Sequence, residues 1–435
     1  MKFDMEKDSV SSLLFRFSVP AVGGMMISAL YVIIDGIFIG KGIGSEGLAA
    51  INIAYPVINF GIGVSLMLGI GGATIISVLQ GQGKLKEAGK YLTYIIALNI
   101  IFYIAITTLT LLNIESLINF MGSSAELSSL VKDYLVIGVL FSIFFMLSTS
   151  LNAVVRNDKA PYYAMISMVV GAVTNIFLDW LFIFHFDMGM IGASLATGIA
   201  QTLSLLYLIG HFFRKKCGIK PELVGLDFKY IKRIINNGFP SFILEFAVAV
   251  VTISFNKILM VQLGEIGVSA FSIIAYIFYI FRMIFSGLAQ GIQPIVSYNF
   301  GAKKWARVKA TFIVGHKITF IIAILIITSV YLGGERMVML FNGDEELIKI
   351  ASRGLLLYSS AMIFLGANFI NISYLQSMEK SIVANVLSIV RSTVFVLIGL
   401  ISLPQLIGID GVWLSLPFAD LMTFGIGYFV TKKGK

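Results

Sequence analysis

The chain has 435 residues, 58% hydrophobic and only 13% charged, with a mean hydropathy of +0.93. That excludes an ordinary water-soluble domain, in which about half of the residues are apolar and about a quarter charged. The net charge of +9 lies in short segments between hydrophobic runs, where membrane topology and anionic lipid account for it without nucleic acid.

At about 20 residues per membrane-crossing helix, twelve spans take about 240 residues and leave no room for a large soluble domain. Stretches such as Tyr91 to Leu112 and Phe312 to Leu332 are apolar on every face, unlike the alternating strands of a membrane barrel. One cysteine, Cys217, and three scattered histidines, His185, His211 and His316, exclude a disulfide framework. They also argue against a thiolate metal cluster or a bis-histidine haem. The first 16 residues mix Asp4, Glu6 and Asp8 with Lys2 and Lys7, and no small-residue cleavage pattern follows. The first apolar run therefore reads as a retained helix.

In chain order the pattern predicts helices over 13–40, 47–79, 91–113, 134–155, 161–186 and 190–213, then 239–262, 267–299, 311–333, 355–377, 381–402 and 409–431. With the N-terminus inside, most of the 32 Lys and Arg residues fall on the cytoplasmic side. They include Lys84, Lys86 and Lys90, the run Arg214-Lys215-Lys216, Lys303 to Lys309, and Lys432, Lys433 and Lys435. The expectation is twelve spans with both termini cytoplasmic. Between Arg214 and Gly238, Phe228, Ile231 and Ile235 alternate with Lys229, Lys232 and Arg233 at helical spacing, which predicts an amphipathic helix lying on the membrane surface.

At a constant offset of 220 the chain repeats Pro20/Pro240, Gly44/Gly264, Gly47/Gly267, Gly71/Gly291, Gly81/Gly301 and Lys84/Lys304. The predicted organisation is an N-terminal six-helix lobe over 1–213, a cytoplasmic amphipathic linker over 214–238 and a C-terminal six-helix lobe over 239–435. Six helices per lobe is an even number, so both lobes enter the membrane in the same direction. This is the parallel-repeat plan of many transporters, with substrate held in a cleft between two similar lobes.

Ionisable residues within a bilayer are costly and are functional candidates by default. Asp35 and Asp179 fall at a shared depth near the ends of their predicted helices, Asn175 is one turn before Asp179, and Thr197 reaches a similar level. Together they predict a polar pocket able to take a proton or a sodium ion. In the second lobe Phe255 and Gly399 stand at the repeat positions of Asp35 and Asp179. Its charged residues are Glu245, some six residues into its predicted helix, with Arg282, Arg391 and Asp420. Those four are expected to form one network, serving ion pairing or cation coupling. Pro20, Pro56, Pro240, Pro294 and Pro417 fall within spans, and Pro20, below Asp35, is the best hinge candidate. No phosphate loop or HExxH motif is present, and no known triad motif is apparent. The chain is not read as an enzyme.

Pro20 followed by Asp35-Gly-Ile-Phe-Ile-Gly40, then Gly47-Leu-Ala-Ala50, Asn175-x3-Asp179, and Gly189-x-x-Gly192 with its echo Gly408-x-x-Gly411, resemble multidrug and toxic compound extrusion (MATE) transporters. Gly238-Phe-Pro-Ser-Phe-Ile-Leu-Glu245, the stretch from Gln290 to Ala302, and Trp413 to Asp420 look like the MepA-like branch of bacterial drug exporters. The resemblance implies an all-α membrane protein of two six-helix bundles forming a V around a central cavity. It also implies export of amphiphilic, mostly cationic compounds in exchange for protons or sodium, with no other cofactor. By residue, it implies that Asp35, Asn175, Asp179 and Thr197 form the cation pocket, with Tyr134 and Asn152 as further members, and that Pro20 is the bending proline. Glu245 resembles an acid used for coupling in some branches. The expected setting is a monomer, in contact with lipid, in a bacterial cell (inner) membrane. The alternative on the same architecture is a flippase for lipid-linked precursors; a membrane enzyme or a channel is a more distant one.

Overall fold

The structure is a computed structural model that describes residues 4–215 and 217–433, so Lys2, Lys216 and Lys435 of the basic segments lie outside the described residues. The described residues form helices and connections and contain no strand. In order these are α1 (Val10–Gly42), α2 (Ser45–Gly81), α3 (Leu85–Leu112), the short α4 (Ile114–Phe120), α5 (Ala125–Asn157), and α6 (Pro161–Asp179) continued by a π-helical turn (Trp180–His185). Then follow α7 (Gly189–Phe212), α8 (Phe228–Leu263), α9 (Glu265–Gly301), α10 (Trp305–Met339), α11 (Glu345–Ser359) and α12 (Met362–Ser377). Last come α13 (Ser381–Ile389), a second π turn (Val390–Val394), α14 (Phe395–Ile407) and α15 (Ile409–Lys433). Eleven of these elements are long and apolar enough to cross a membrane, or twelve when α11 and α12, bent by 44° at their junction, count as one. The chain is a multi-span membrane protein.

The sequence repeat is also a repeat of structure. Starts at Ser45, Leu85, Ala125, Pro161 and Gly189 recur at Glu265, Trp305, Glu345, Ser381 and Ile409, each 220 residues on. The turns repeat too. Gly44 and Gly264 both take positive φ, at 96° and 69°, as do Gly83 and Lys303 at 75° and 57°, and Lys159 and Glu379 at 61° and 57°. Left-handed backbone at these points lets each helix end in one residue and the next begin at once. Local chemistry sets several starts: Pro161 opens α6, Ser124 Oγ accepts from Leu127 N, and Asp344 Oδ1 accepts from Leu347 N at 2.8 Å.

Packing divides the described residues at other places than the repeat. One compact unit is Gly23–Phe242; the other joins Met1–Val22 to Ile243–Lys435. The first part of α1 therefore packs with the C-terminal helices, and the first part of α8 with the N-terminal ones. Repeat-related glycines allow both contacts. A Cβ on Gly71 of α2 would lie 2.4 Å from Ile234 O of α8, and a Cβ on Gly291 of α9 would lie 2.5 Å from Ser18 Cα of α1. Each unit builds its own apolar core, around Leu68, Ile76 and Leu92 in the first, and around Phe255, Phe285 and Trp413 in the second.

The expected surface helix over 214–238 is not formed. Residues from Phe228 onward are the opening turns of α8, which passes through Pro240 without a break, and Ile234 is buried in the core of the first unit. A proline inside a helix removes one backbone bond but need not end it. Of the residues in that pattern, Ile231 and Ile235 pack against that core, while Phe228 is exposed. Before α8, residues 217–227 run without helix along α3, where Thr93 Oγ1 donates to Glu222 O at 2.7 Å and Tyr94 donates to Gly225 O at 2.6 Å. Burial pushes the Cys217 thiol in this loop up to about 11, so it is protonated at neutral pH.

Candidate functional site

In the first unit, Asp35 lies seven residues before the end of α1, and Asp179 is the last α-helical residue of α6 before its π turn. A π turn rotates and widens the helix, which re-aims the residues beside it, and such turns recur at functional sites. Here it is locked against α1, because a Cβ on Gly42 would lie 2.2 Å from Ile183 Cγ2. The Asp35 and Asp179 side chains lie within interaction range of each other. Asn175 sits one turn back on α6 and donates from Nδ2 to Thr197 Oγ1 of α7 at 3.2 Å. Tyr134 of α5 lies within electrostatic range of both carboxyls. Asp179 is fully buried and Asn175 nearly so, whereas Asp35 retains some exposure.

The oxygens of this pocket are short of donors, with the Asn175 amide beside Asp179. Asp35 Oδ1, both Asp179 oxygens and Asn175 Oδ1 are buried with no hydrogen-bond partner. An ionised carboxylate is an acceptor only, so two of them face to face leave nothing to donate. Buried acceptors are normally satisfied, so four without a partner in one place stand out.

The structure brings together Asp35, Tyr134, Asn175, Asp179 and Thr197. It does not bring Asn152 to them. Asn152 lies 18 residues beyond Tyr134 on the same straight run of α5, about 27 Å away at 1.5 Å per residue. There it donates to Ala164 O at 2.8 Å and Ser167 Oγ at 3.2 Å, and accepts from Arg156.

In the second unit the four charged residues form two ion pairs. Arg282 Nη2 meets Glu245 Oε2 at 3.3 Å, and Arg391 Nε meets Asp420 Oδ1 at 2.5 Å. Each acid has its own arginine because the four come from four helical segments, α8, α9, the second π turn and α15. Glu245 lies further into its helix than a start at 239 implied. With α8 beginning at Phe228, it lies near the middle of that helix. Both arginines line one cavity of about 130 Å³ together with Tyr279, Tyr358, Phe271 and Phe278.

Sequence reasoning missed Asn368, whose Nδ2 donates to Asp420 Oδ1 at 2.9 Å and to Asp420 O at 2.8 Å. It also missed Phe369, whose ring lies 5.0 Å from the Arg391 guanidinium carbon, and Tyr358, which faces both pairs. An asparagine inside the apolar run from Met362 to Leu375 was the available signal.

Comparison with known proteins agrees with this architecture. The MatE family model matches the chain twice, over 20–181 and 240–401, which is the same offset of 220. The multidrug export protein MepA of Staphylococcus saprophyticus subsp. saprophyticus is 26% identical over 422 residues, spanning 95% of this chain and 92% of that protein. A crystal structure of MATE in complex with MaL6 superposes with a TM-score of 0.93 at 21% identity, over 99% of this chain and 97% of that one. A MOP superfamily transporter from Pyrococcus furiosus, described as having a binding pocket of reverse polarity, does so with 0.93 at 22%, over 99% and 96%. With its two matches covering most of both halves, and the helix starts repeating at the same offset, the chain belongs to the MatE family.

Proposed function

We propose that the chain is a secondary multidrug exporter that exchanges amphiphilic, mostly cationic compounds for protons or sodium ions by alternating access. The observation that carries this reading is the pair Asp35 and Asp179, interacting in a pocket where four buried oxygens have no hydrogen-bond partner of ordinary geometry. A proton or sodium ion entering there supplies the missing positive charge. The MatE match and the MepA relatives, named as multidrug exporters, support the class of activity.

Coupling requires that the cation and the drug prefer different states of the protein, since a ligand that binds both equally shifts nothing. The geometry supplies a means. Asp35 is on α1, 15 residues beyond Pro20, and α1 passes from one compact unit to the other between Val22 and Gly23. Cation binding neutralises the charge of Asp35 and Asp179, α1 bends where Pro20 has removed a backbone bond, and the drug site is remade on the other side. A membrane potential adds about 2.3 kcal/mol per net charge moved across 100 mV, enough to bias exchange more than tenfold. The setting that fits is a bacterial cell membrane with both termini cytoplasmic, the chain acting as a monomer of two repeat lobes.

The two arginines lining the second unit's cavity favour, as a second reading, a flippase for lipid-linked precursors, whose phosphates need a basic cavity. Pairing of both with Glu245 and Asp420 removes that net positive charge and favours the drug exporter. Purified protein in liposomes tests the choice. Dye efflux should follow an imposed pH or sodium gradient and stop when it is collapsed. Efflux indifferent to both gradients would overturn the exporter reading.

A further inference from the structure

At the far end of α5, remote from the carboxylate pocket, three side chains of metal-binding type converge from separate elements. Asp158 follows the last residue of α5, His211 is in the last turn of α7, and Cys217 is in the loop that leads to α8. Their ligand atoms all lie within 4.8 Å of one another. We propose that Asp158, His211 and Cys217 form a binding site for one divalent cation of the zinc class, with a fourth position open on the side of the half-buried Cys217.

The donor set is one thiolate, one imidazole and one carboxylate, the mixture that a tetrahedral, borderline-soft ion accepts. Bonds of about 2.0–2.3 Å place tetrahedral ligands about 3.3–3.8 Å apart. Asp158 Oδ2 and His211 Nε2 stand at 2.8 Å in a hydrogen bond that an ion would replace as the two part by about 0.5–1 Å, and Cys217 would turn its sulfur from Ile219 O to close the set. With the thiol proton released, one thiolate and one carboxylate balance a 2+ ion. The imidazole stays neutral by carrying its proton on the other nitrogen.

The surroundings are built around these groups. Gln80 Nε2 of α2 donates to Asp158 Oδ1 at 2.8 Å, and Gly218 N donates to Asp158 Oδ2 at 2.9 Å, which fixes the carboxylate as outer partners fix metal ligands. Glycine at 218 leaves room for this carboxylate, since a Cβ there would lie 2.7 Å from Asp158 Oδ1 and displace it. Asp158 and His211 are 4% and 2% exposed, so the charge of the carboxylate sits in a buried place. A bound ion would tie α5, α7 and the 217–227 loop into one piece. The site is about 36 Å along α5 from Tyr134, so its occupancy can be read without reference to transport.

The test uses tag-free full-length protein in detergent, treated with chelator and titrated with Co²⁺ as a spectroscopic substitute for Zn²⁺. The expected result is one Co²⁺ per chain with a thiolate-to-cobalt charge-transfer band, displaced by Zn²⁺. Cys217→Ser should abolish the band, and His211→Gln should weaken binding more than about tenfold. Stoichiometric Co²⁺ bound by the parent without the band, or a titration unchanged by Cys217→Ser, would show that Asp158 and His211 merely hold the loop and overturn the proposal. The parent's spectrum decides the matter even if a variant misfolds.

Discussion

Arg391 Nε donates to Asp420 Oδ1 at 2.5 Å inside the second unit, where Asn368 donates to the same oxygen. Asp420 is fully buried and Arg391 only 9% exposed, so removing either partner strands a charge in a low-dielectric core. Arg391→Leu is expected to cost about 3–5 kcal/mol, whereas Arg391→Leu combined with Asp420→Leu should recover much of that loss. Thermal unfolding followed by size-exclusion fluorescence in detergent measures both. A single variant as stable as the parent would mean that the charge finds another partner.

The pair of Arg282 and Glu245 is more exposed and its contact longer, at 3.3 Å. Its loss should cost clearly less stability than that of Arg391 and Asp420. Glu245→Gln, compared with Asp420→Asn in the same unfolding assay, checks the order. Equal losses would show that the two pairs act as one unit after all.

Close helix contacts give a second kind of prediction. A Cβ on Gly238 of α8 would lie 1.8 Å from Met67 O of α2, while one on Gly61 of α2 would meet nothing within 4 Å. Gly238→Ala is therefore expected to destabilise by more than about 2 kcal/mol, and Gly61→Ala to leave stability unchanged or raised. Similar melting temperatures for the two variants would contradict the packing of α8 on α2.

Much of this was legible in the sequence. Helix starts at 161, 381 and 409 were readable from turn residues before apolar runs, and the shared glycines and prolines gave the offset of 220 that the helix starts reproduce. Asp35, Asn175, Asp179 and Thr197 stood out because polar groups are expensive in an apolar span. The early start of α8 was hidden because Lys229, Lys232 and Arg233 read as a surface face, and only packing shows Ile234 in a core. Asn152 was misplaced because distance along α5, not polarity, decides which pocket it reaches. The pairing of Arg391 with Asp420 and of Arg282 with Glu245 depends on helix rotation, which the π turn at Val390–Val394 alters and no periodicity of 3.6 registers.

Pro20 supplies the prediction about motion. Pro20→Ala restores a backbone donor to α1 and should straighten and stiffen it. Export is then expected to slow while dye affinity, measured by fluorescence polarisation on the purified protein, changes little. Equal transport rates for the variant and the parent would remove Pro20 from the cycle and leave the carboxylate pocket untouched.

The central claim is that the meeting of Asp35 and Asp179 couples a cation to export, and Asp179→Asn in proteoliposomes tests it most directly. The amide keeps the shape of the carboxyl and adds a donor, but it cannot take up a proton or balance a cation. The account predicts folded protein that still binds dye, with gradient-driven efflux reduced to the level of protein-free liposomes. Efflux at the parent rate under the same imposed pH or sodium gradient would contradict it.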